Sequence, residues 1–244
     1  MFGLFKNKKT FAPLQTDMHC HLLPGVDDGS SNITETVNCL KALASVGYEC
    51  IYFTPHFQKR YPNDEKDIQK RFAELKKSIE AMGEKEIPEI KSVAGEYRFD
   101  PEFARKPGVD NVLTLPGKRL LCEFSLHFND YMPIDIFEEY LKLGYKLILA
   151  HPERYPYMNP HSEHTVKMKE VGIAFQVNVL SLNGFYGEAA MKKGFEYIEL
   201  GMSEYLGTDT HNMRYINALL DTAENKKVKL MMKSHTFLNN TIAE

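Results

Sequence analysis

Lys146-Leu147-Ile148-Leu149-Ala150-His151-Pro152-Glu153-Arg154 is a short apolar run that ends on a histidine and turns at a proline. Runs of this kind recur along the 244-residue chain, at Leu14 to Met18, Cys50 to Thr54, Ile90 to Ala94, Arg119 to Cys122, Lys146 to Ala150, Ile173 to Val179 and Ser203 to Gly207. Helical periodicity fills the gaps. Val37, Leu40, Leu43 and Ala44 share a face of a helix predicted over Thr34 to Val46, which Gly47 stops. Ile68, Phe72, Leu75 and Ile79 make one stripe on a highly charged helix over Asp64 to Met82. Further helices are predicted at Ile134 to Leu143, His164 to Val171 and Glu188 to Leu200, each closed by a glycine. The tail beyond Asn217 reads as helix, with a short strand or turn around Val228 to Met232.

Strands alternating with crossovers imply parallel pairing, either in a closed barrel or in an open doubly wound sheet. The ends of the runs decide between them. Six of the seven finish in His, Asp or Glu. In a barrel all C-terminal strand ends face one mouth, whereas an open sheet brings only the strands beside its switch point to a ligand. The expectation is an α/β, TIM-like barrel of seven strands, with residues 1–13 as an N-terminal arm and 14–244 as a single domain.

Composition excludes other classes. The formal net charge is −3, which gives no overall attraction to nucleic acid. No apolar stretch approaches the ~18 residues of an integral membrane segment. Met1 to Thr10 has its apolar tip before Lys6, Lys8 and Lys9, the reverse of a secretory signal. Cys20, Cys39, Cys50 and Cys122 are scattered, without a C-x-x-C pair. A cytoplasmic, reducing location is expected.

The densest polar stretch is Asp17-Met18-His19-Cys20-His21, followed by Asp27-Asp28-Gly29. In extended chain His19 and His21 project to one side and can share a divalent metal. His56, Glu96, Glu123, His151, Asp209 and His211 also fall at strand ends, so five of the nine histidines occupy such places. Imidazole nitrogen with carboxylate oxygen suits zinc, manganese or ferrous iron. Eight or nine such ligands exceed the needs of one ion and point to two or three, an arrangement suited to phosphoryl or ester hydrolysis. Arg98, Arg154 and Arg214 are candidate phosphate ligands, since a guanidinium grips phosphate oxygens in pairs. Tyr61, Tyr155 and Tyr157 either line the cleft or simply pack. His127, His161, His164 and His235 are read as non-ligands. A cysteine-based phosphatase needs Arg six positions after its Cys; here those positions hold Val26, Ser45, His56 and Phe128. No phosphate-binding Gly-Lys loop, dinucleotide fingerprint or serine nucleophile elbow is present.

Taken in order, Asp17-Met18-His19-Cys20-His21, Thr54-Pro55-His56, Gly95-Glu96-Tyr97-Arg98, Cys122-Glu123-Phe124, Ala150 to Tyr155 and Thr208 to Asn212 resemble the polymerase and histidinol phosphatase (PHP) superfamily. Val26-Asp27-Asp28-Gly29 and the His-Pro-Glu-Arg-Tyr element narrow the resemblance to its bacterial tyrosine phosphatases of the CpsB/YwqE type. The resemblance implies a distorted seven-stranded barrel with three divalent metals, manganese first and iron or zinc as alternatives. One metal would take His19, His21, Glu96 and Asp209; a second would share Glu96 and take Glu123 and His151. A third would take Asp28, His56 and His211, with Asp27 the alternative to Asp28. Arg154 matches the family's phosphate-handling arginine. Either Asp209 or metal-bound water is a candidate proton donor. The implied substrate is the phosphotyrosine-containing tail of a bacterial tyrosine kinase that controls capsule or exopolysaccharide export. A small-molecule phosphatase such as histidinol phosphatase and a non-catalytic phosphopeptide binder are the alternatives, and the oligomeric state is left open.

Overall fold

Proline has no N–H for a ladder, and in this chain a proline helps to cut one predicted strand in two. The computed structural model describes residue 11 and residues 13–99, 105–127 and 133–242. Within them the strands are β1 (Thr16–Asp17), β2 (Cys50–Phe53), β3 (His56–Phe57), β4 (Glu89–Val93), β5 (Glu96–Arg98), β6 (Arg119–Glu123), β7 (Lys146–Ala150), β8 (Ala174–Asn178) and β9 (Tyr205–Gly207). Each of the seven predicted runs holds a strand. The second, however, breaks at Thr54-Pro55 and resumes as β3, and the third breaks at Ala94-Gly95 and resumes as β5. At the second break only glycine fits, because a Cβ on Gly95 would lie 2.6 to 2.7 Å from the rings of Tyr97 and Phe57.

The described strands therefore number nine, in two all-parallel sheets of order β1-β2-β4 and β3-β5-β6-β7-β8-β9. Their ladders do not join into one closed ring of seven among the described residues. Beyond β1 and β9 the two ends of the series still touch. Cys20 bridges Thr210 in parallel fashion, and the Asp209 N–H donates to His19 O at 2.8 Å.

Alternation along the strands divides the core. Leu120, Cys122, Leu147 and Leu149 join the large cluster, while Leu121, Ile148 and Ala150 join a second cluster with Met18, Tyr52, Ala94, Leu115, Tyr205 and Ile242. Strands covered on both faces read as unbroken apolar runs, as these do. Helices α1 (Ile33–Val46) and α2 (Glu65–Met82) are capped by the side chains of Asn32 and Asp64, and α1 ends at Gly47 with φ 114°. Helices α3 (Ile134–Lys142), α4 (Glu163–Glu170) and α5 (Glu188–Glu199) follow the predicted spans to within a residue at each end.

The tail is different from its prediction. A helix α6 (Met213–Thr222) starts where Asn212 accepts from the Arg214 N–H, and Val228 to Met232 lies inside α7 (Lys226–Ser234), capped by Asn225. Val228, Met231 and Met232 are buried at helical spacing, which explains the outcome. Of the predicted arm, residues 1–10 and 12 lie outside the described residues; Phe11 is buried and stacks on Tyr48. No described helix is long and apolar enough to cross a membrane.

Candidate metal centre

The parallel strands deliver their C-terminal ends to one place. His19 and His21 follow β1, His56 and Glu96 open β3 and β5, Glu123 closes β6, His151 follows β7, and Asp209 and His211 follow β9. All are buried. Their ligand atoms form three overlapping groups, each within 4.8 Å: His19, His21 and Asp209; His21, His56 and His211; His56, Glu96 and Glu123. His151 joins through Nε2, which is 3.0 Å from Glu96 Oε1 and 3.9 Å from Glu123 Oε2. Asp28, with its side chain 48% exposed, lies on the open side, 3.4 Å from His56 Nε2 and 3.8 Å from His211 Nε2.

The hydrogen bonds fix the tautomers. Gln176 Nε2 donates to Asn178 Oδ1 at 2.8 Å, so its oxygen faces His19 Nδ1 at 2.6 Å and the His19 proton sits on Nδ1. His21 Nδ1 donates to Asp27 Oδ2 at 2.8 Å, and His211 Nδ1 to the Asp209 carbonyl at 2.8 Å. In its neutral form each ring therefore keeps its lone pair on Nε2. His19 Nε2 and His21 Nε2 stand 3.2 Å apart. Two neutral rings so placed repel unless a metal ion or a shared proton joins them. His56 Nδ1 and Glu96 Oε2 meet as an ion pair at 2.9 Å, but neither makes an aligned hydrogen bond. An unsatisfied buried polar group costs about 1–3 kcal/mol, a cost that coordination to a divalent ion would remove. The donor set thus fits divalent metal.

Charge follows the same plan. Burial works against the Glu96 and Asp209 carboxylates, but His19 and its neighbours hold both well below the usual range. Burial also opposes ionised Asp27, yet His21 and His56 bring its carboxyl down to about 2. Burial and His21 push His211 down to about 4, whereas Glu96 and Glu123 overcome the same influences at His56 and raise it to about 10. His151 and Asp209 have φ of 39° and 51°, a left-handed backbone that non-glycine residues adopt at a cost. Strain thus falls on two of the converging residues.

Asp27 and Asp28 separate in role. Asp27 Oδ2 accepts from His21 Nδ1 and from the His56 N–H, so it orients rings rather than facing the centre. Arg154 Nη1 donates to Asp209 Oδ2 at 2.9 Å, and its guanidinium lies 4.1 Å over the Tyr186 ring. Asp209 Oδ2 also accepts from Asn178 Nδ2 at 2.8 Å and from the Tyr186 hydroxyl at 3.2 Å. With three donors on that oxygen, Asp209 is held as an ionised acceptor. Arg98 donates to Glu123 Oε1, the Phe124 carbonyl and Gln58 Oε1, and so helps to hold Glu123. Arg214 is exposed on the first turn of α6, over Phe185 at 5.3 Å. Tyr155 packs: its hydroxyl donates to the Ala150 carbonyl and accepts from the Phe124 N–H. Tyr157 donates to the Ser125 carbonyl, and Tyr61 stacks on His56. His127, His161 and His164 are exposed, and neither they nor His235 enters the donor groups.

Sequence reading assigned no role to Gln176, Asn178 or Tyr186. Gln176 and Asn178 carried a signal: two polar residues at a spacing of two, on one face of an otherwise apolar run. Together they tie His19 to Asp209.

Known proteins share this architecture. The putative tyrosine-protein phosphatase CapC of Staphylococcus aureus is 28% identical over 199 residues, covering 81% of this chain and 77% of that protein. The tyrosine-protein phosphatase YwqE of Bacillus subtilis is 25% identical over 203 residues, covering 82% and 79%. A crystal structure from work on YwqE from B. subtilis and CpsB from Streptococcus pneumoniae, described as unique metal-dependent tyrosine phosphatases, matches in fold. Its TM-score is 0.74 at 23% identity, over 91% of this chain and 96% of that one. The phosphate-complexed phosphotriesterase homology protein of Escherichia coli matches more distantly, at TM-score 0.53 and 11% identity over 93% and 94%. The family model described as capsular polysaccharide synthesis, CpsB/CapC, matches residues 15–241, and the chain belongs to that family.

Proposed function

We propose that this chain is a metal-dependent phosphoric monoester hydrolase, a protein-tyrosine phosphatase acting in the cytoplasm on the phosphotyrosine-containing tail of a bacterial tyrosine kinase. Family membership and the names of the relatives support the reaction and its link to capsule synthesis. The observation that carries the reading is the convergence of His19 Nε2 and His21 Nε2, 3.2 Å apart, with the Glu96 and Asp209 carboxylates 3.3 to 3.5 Å from them. Three overlapping donor groups favour three divalent ions, manganese first. His19, His21, Glu96 and Asp209 would hold one, Glu96, Glu123 and His151 a second, and Asp28, His56 and His211 a third. When bound, such ions supply Lewis-acid charge to the phosphate and acidify an attacking water. Arg154 neutralises a phosphate oxygen, while its bond to Asp209 fixes its direction. Arg98 keeps Glu123 in place, and Arg214 stands at the rim.

The finer architecture proposed is a distorted barrel of seven broken or unbroken runs within a single domain, 14–244. It is supported by the two runs that pass from one sheet to the other and by the Cys20–Thr210 bridge. The test is to assay manganese-loaded protein on a phosphotyrosyl peptide and on histidinol phosphate. Rapid release of phosphate from the peptide is expected. Preference for histidinol phosphate, or peptide binding without turnover, would overturn the assignment.

A further inference from the structure

Arg154 lies nearer to a ring than any other arginine among the described residues. Its guanidinium carbon is 4.1 Å from the centre of the Tyr186 ring, whereas Arg60, Arg105 and Arg214 lie 5.3 to 6.0 Å from theirs. The Tyr186 hydroxyl donates to Asp209 Oδ2, the same oxygen that accepts from Arg154 Nη1. Asp209 Oδ1 faces the imidazoles, 3.4 Å from His21 Nε2 and 3.5 Å from His19 Nε2. Arg154 therefore stands one carboxylate away from the converging donors. Its bond to Asp209 is the one hydrogen bond the guanidinium makes among the described residues, and its side chain is 20% exposed. The remaining N–H groups are left to meet an oxyanion. Tyr186 is held by its own turn. The Gly187 N–H donates to the Gly184 carbonyl at 2.9 Å, and the two glycines have φ of 95° and 80°, so Phe185 and Tyr186 form the middle of a closed turn. The Phe185 N–H bonds back to the Leu180 carbonyl at 3.2 Å, and the Phe185 ring stands at 88° to Tyr186. The same segment grips the residue before Arg154. The Ser181 hydroxyl and the Asn178 N–H both donate to Glu153 Oε1, at 2.6 and 3.0 Å. Residues 178–187 thus hold Arg154 both through its neighbour and against its guanidinium.

We propose that Tyr186 is a positioning residue for Arg154, its ring fixing the guanidinium so that the remaining N–H groups meet a phosphate oxygen. The inference rests on the phosphatase reading above for its phosphate. The bond to Asp209 fixes the direction of one N–H but leaves rotation about it. The Tyr186 ring removes that freedom, and a cation held over a ring in a partly desolvated place gains the equivalent of ~3- to 30-fold. The competing role for Tyr186 is to donate to Asp209 alone. That role needs the hydroxyl and not the ring.

The test is a double-mutant cycle on manganese-loaded protein with metal content measured. Tyr186→Leu, Tyr186→Phe, Arg154→Ala and the double variant of Arg154→Ala with Tyr186→Leu are compared with wild type. Two quantities are read: kcat/KM on a phosphotyrosyl peptide at saturating manganese, and the dissociation constant of inorganic phosphate by calorimetry. Where Arg154 is present, Tyr186→Leu should lower kcat/KM and weaken phosphate binding ~3- to 30-fold. Where Arg154 is replaced, it should change each by no more than about 2-fold. Tyr186→Phe keeps the ring and should stay within about 3-fold of wild type. A Leu variant that folds poorly loses the same factor in both backgrounds, so misfolding does not imitate the coupling. Equal loss in both backgrounds, or a Phe variant as impaired as the Leu variant, would overturn the assignment of Tyr186. Coupled phosphate binding in protein without turnover would overturn the phosphatase reading but not the role of Tyr186. Wild-type protein that neither hydrolyses the peptide nor binds phosphate would overturn both.

Discussion

His21 shows how one side chain is fixed before any metal binds. Its Nδ1 donates to Asp27, and its Nε2 stands 3.4 Å from both Glu96 and Asp209. Ring-orienting partners of this kind typically contribute 10- to 100-fold to metal affinity. Asp27→Ala and Gln176→Ala should each weaken manganese binding by about that factor, measured by calorimetric titration of chelator-stripped protein. Unchanged affinity would show that the rings are held by packing alone. Arg154 should behave otherwise. Arg154→Ala should lower kcat by roughly 10²–10³ with metal content intact, as loss of a preorganised charge-stabilising donor does. Arg154→Lys should recover only part, because an ammonium lacks the planar fork that the proposed role requires beside the bond to Asp209. The converging His, Asp and Glu side chains were legible as polar residues placed where apolar runs stop. Asp27, Gln176 and Arg98 were harder to assign. Whether a carboxylate faces a metal or a ligand's far nitrogen depends on a difference of one residue in a loop, which spacing does not resolve.

Among the elements, the breaks matter more than the strands. Gly95 lets β4 pass into β5 with the rings of Phe57 and Tyr97 against its backbone. A methyl there collides with both rings, so Gly95→Ala should cost about 1–3 kcal/mol, the usual range for overpacking, read from the shift of the urea midpoint. Because Glu96 is the next residue, activity should fall along with stability. A distant helix gives the contrast. The Asn225 side chain accepts from the Lys227 and Val228 N–H groups at the start of α7. Asn225→Ala should lose about 0.5–2 kcal/mol in the same measurement while leaving kcat unchanged. The five helices followed by a glycine, α1 to α5, were readable to within a residue at each end. The strand breaks were not, because Thr54-Pro55 and Ala94-Gly95 fall at the ends of apolar runs and look like simple exits. The tail was misread because Val228 to Met232 is too short for its helical period to stand out from a strand's.

At the scale of the whole molecule, the centre draws its groups from residues 19 to 211, across both sheets. Few of these residues are neighbours in sequence. Because the donors come together only in the folded chain, metal binding should also stabilise the fold. At ~100 times the dissociation constant the gain is about 2.7 kcal/mol. The thermal midpoint should therefore rise with manganese concentration, whereas a midpoint indifferent to manganese would mean that the donors do not share a metal in the native state. The α/β class with parallel strands was legible because short apolar runs alternate with helical stretches, whereas the expected ring of seven strands is replaced among the described residues by two sheets. How the sheets divide was not legible, since pairing across a break depends on backbone geometry rather than on hydrophobic pattern. The most direct test of the central claim is phosphate release from a phosphotyrosyl peptide by protein stripped with chelator, verified metal-free, and then titrated with Mn²⁺. The convergent donors predict no activity in the stripped protein and a return in proportion to bound metal. Full activity in verified metal-free protein would contradict the account.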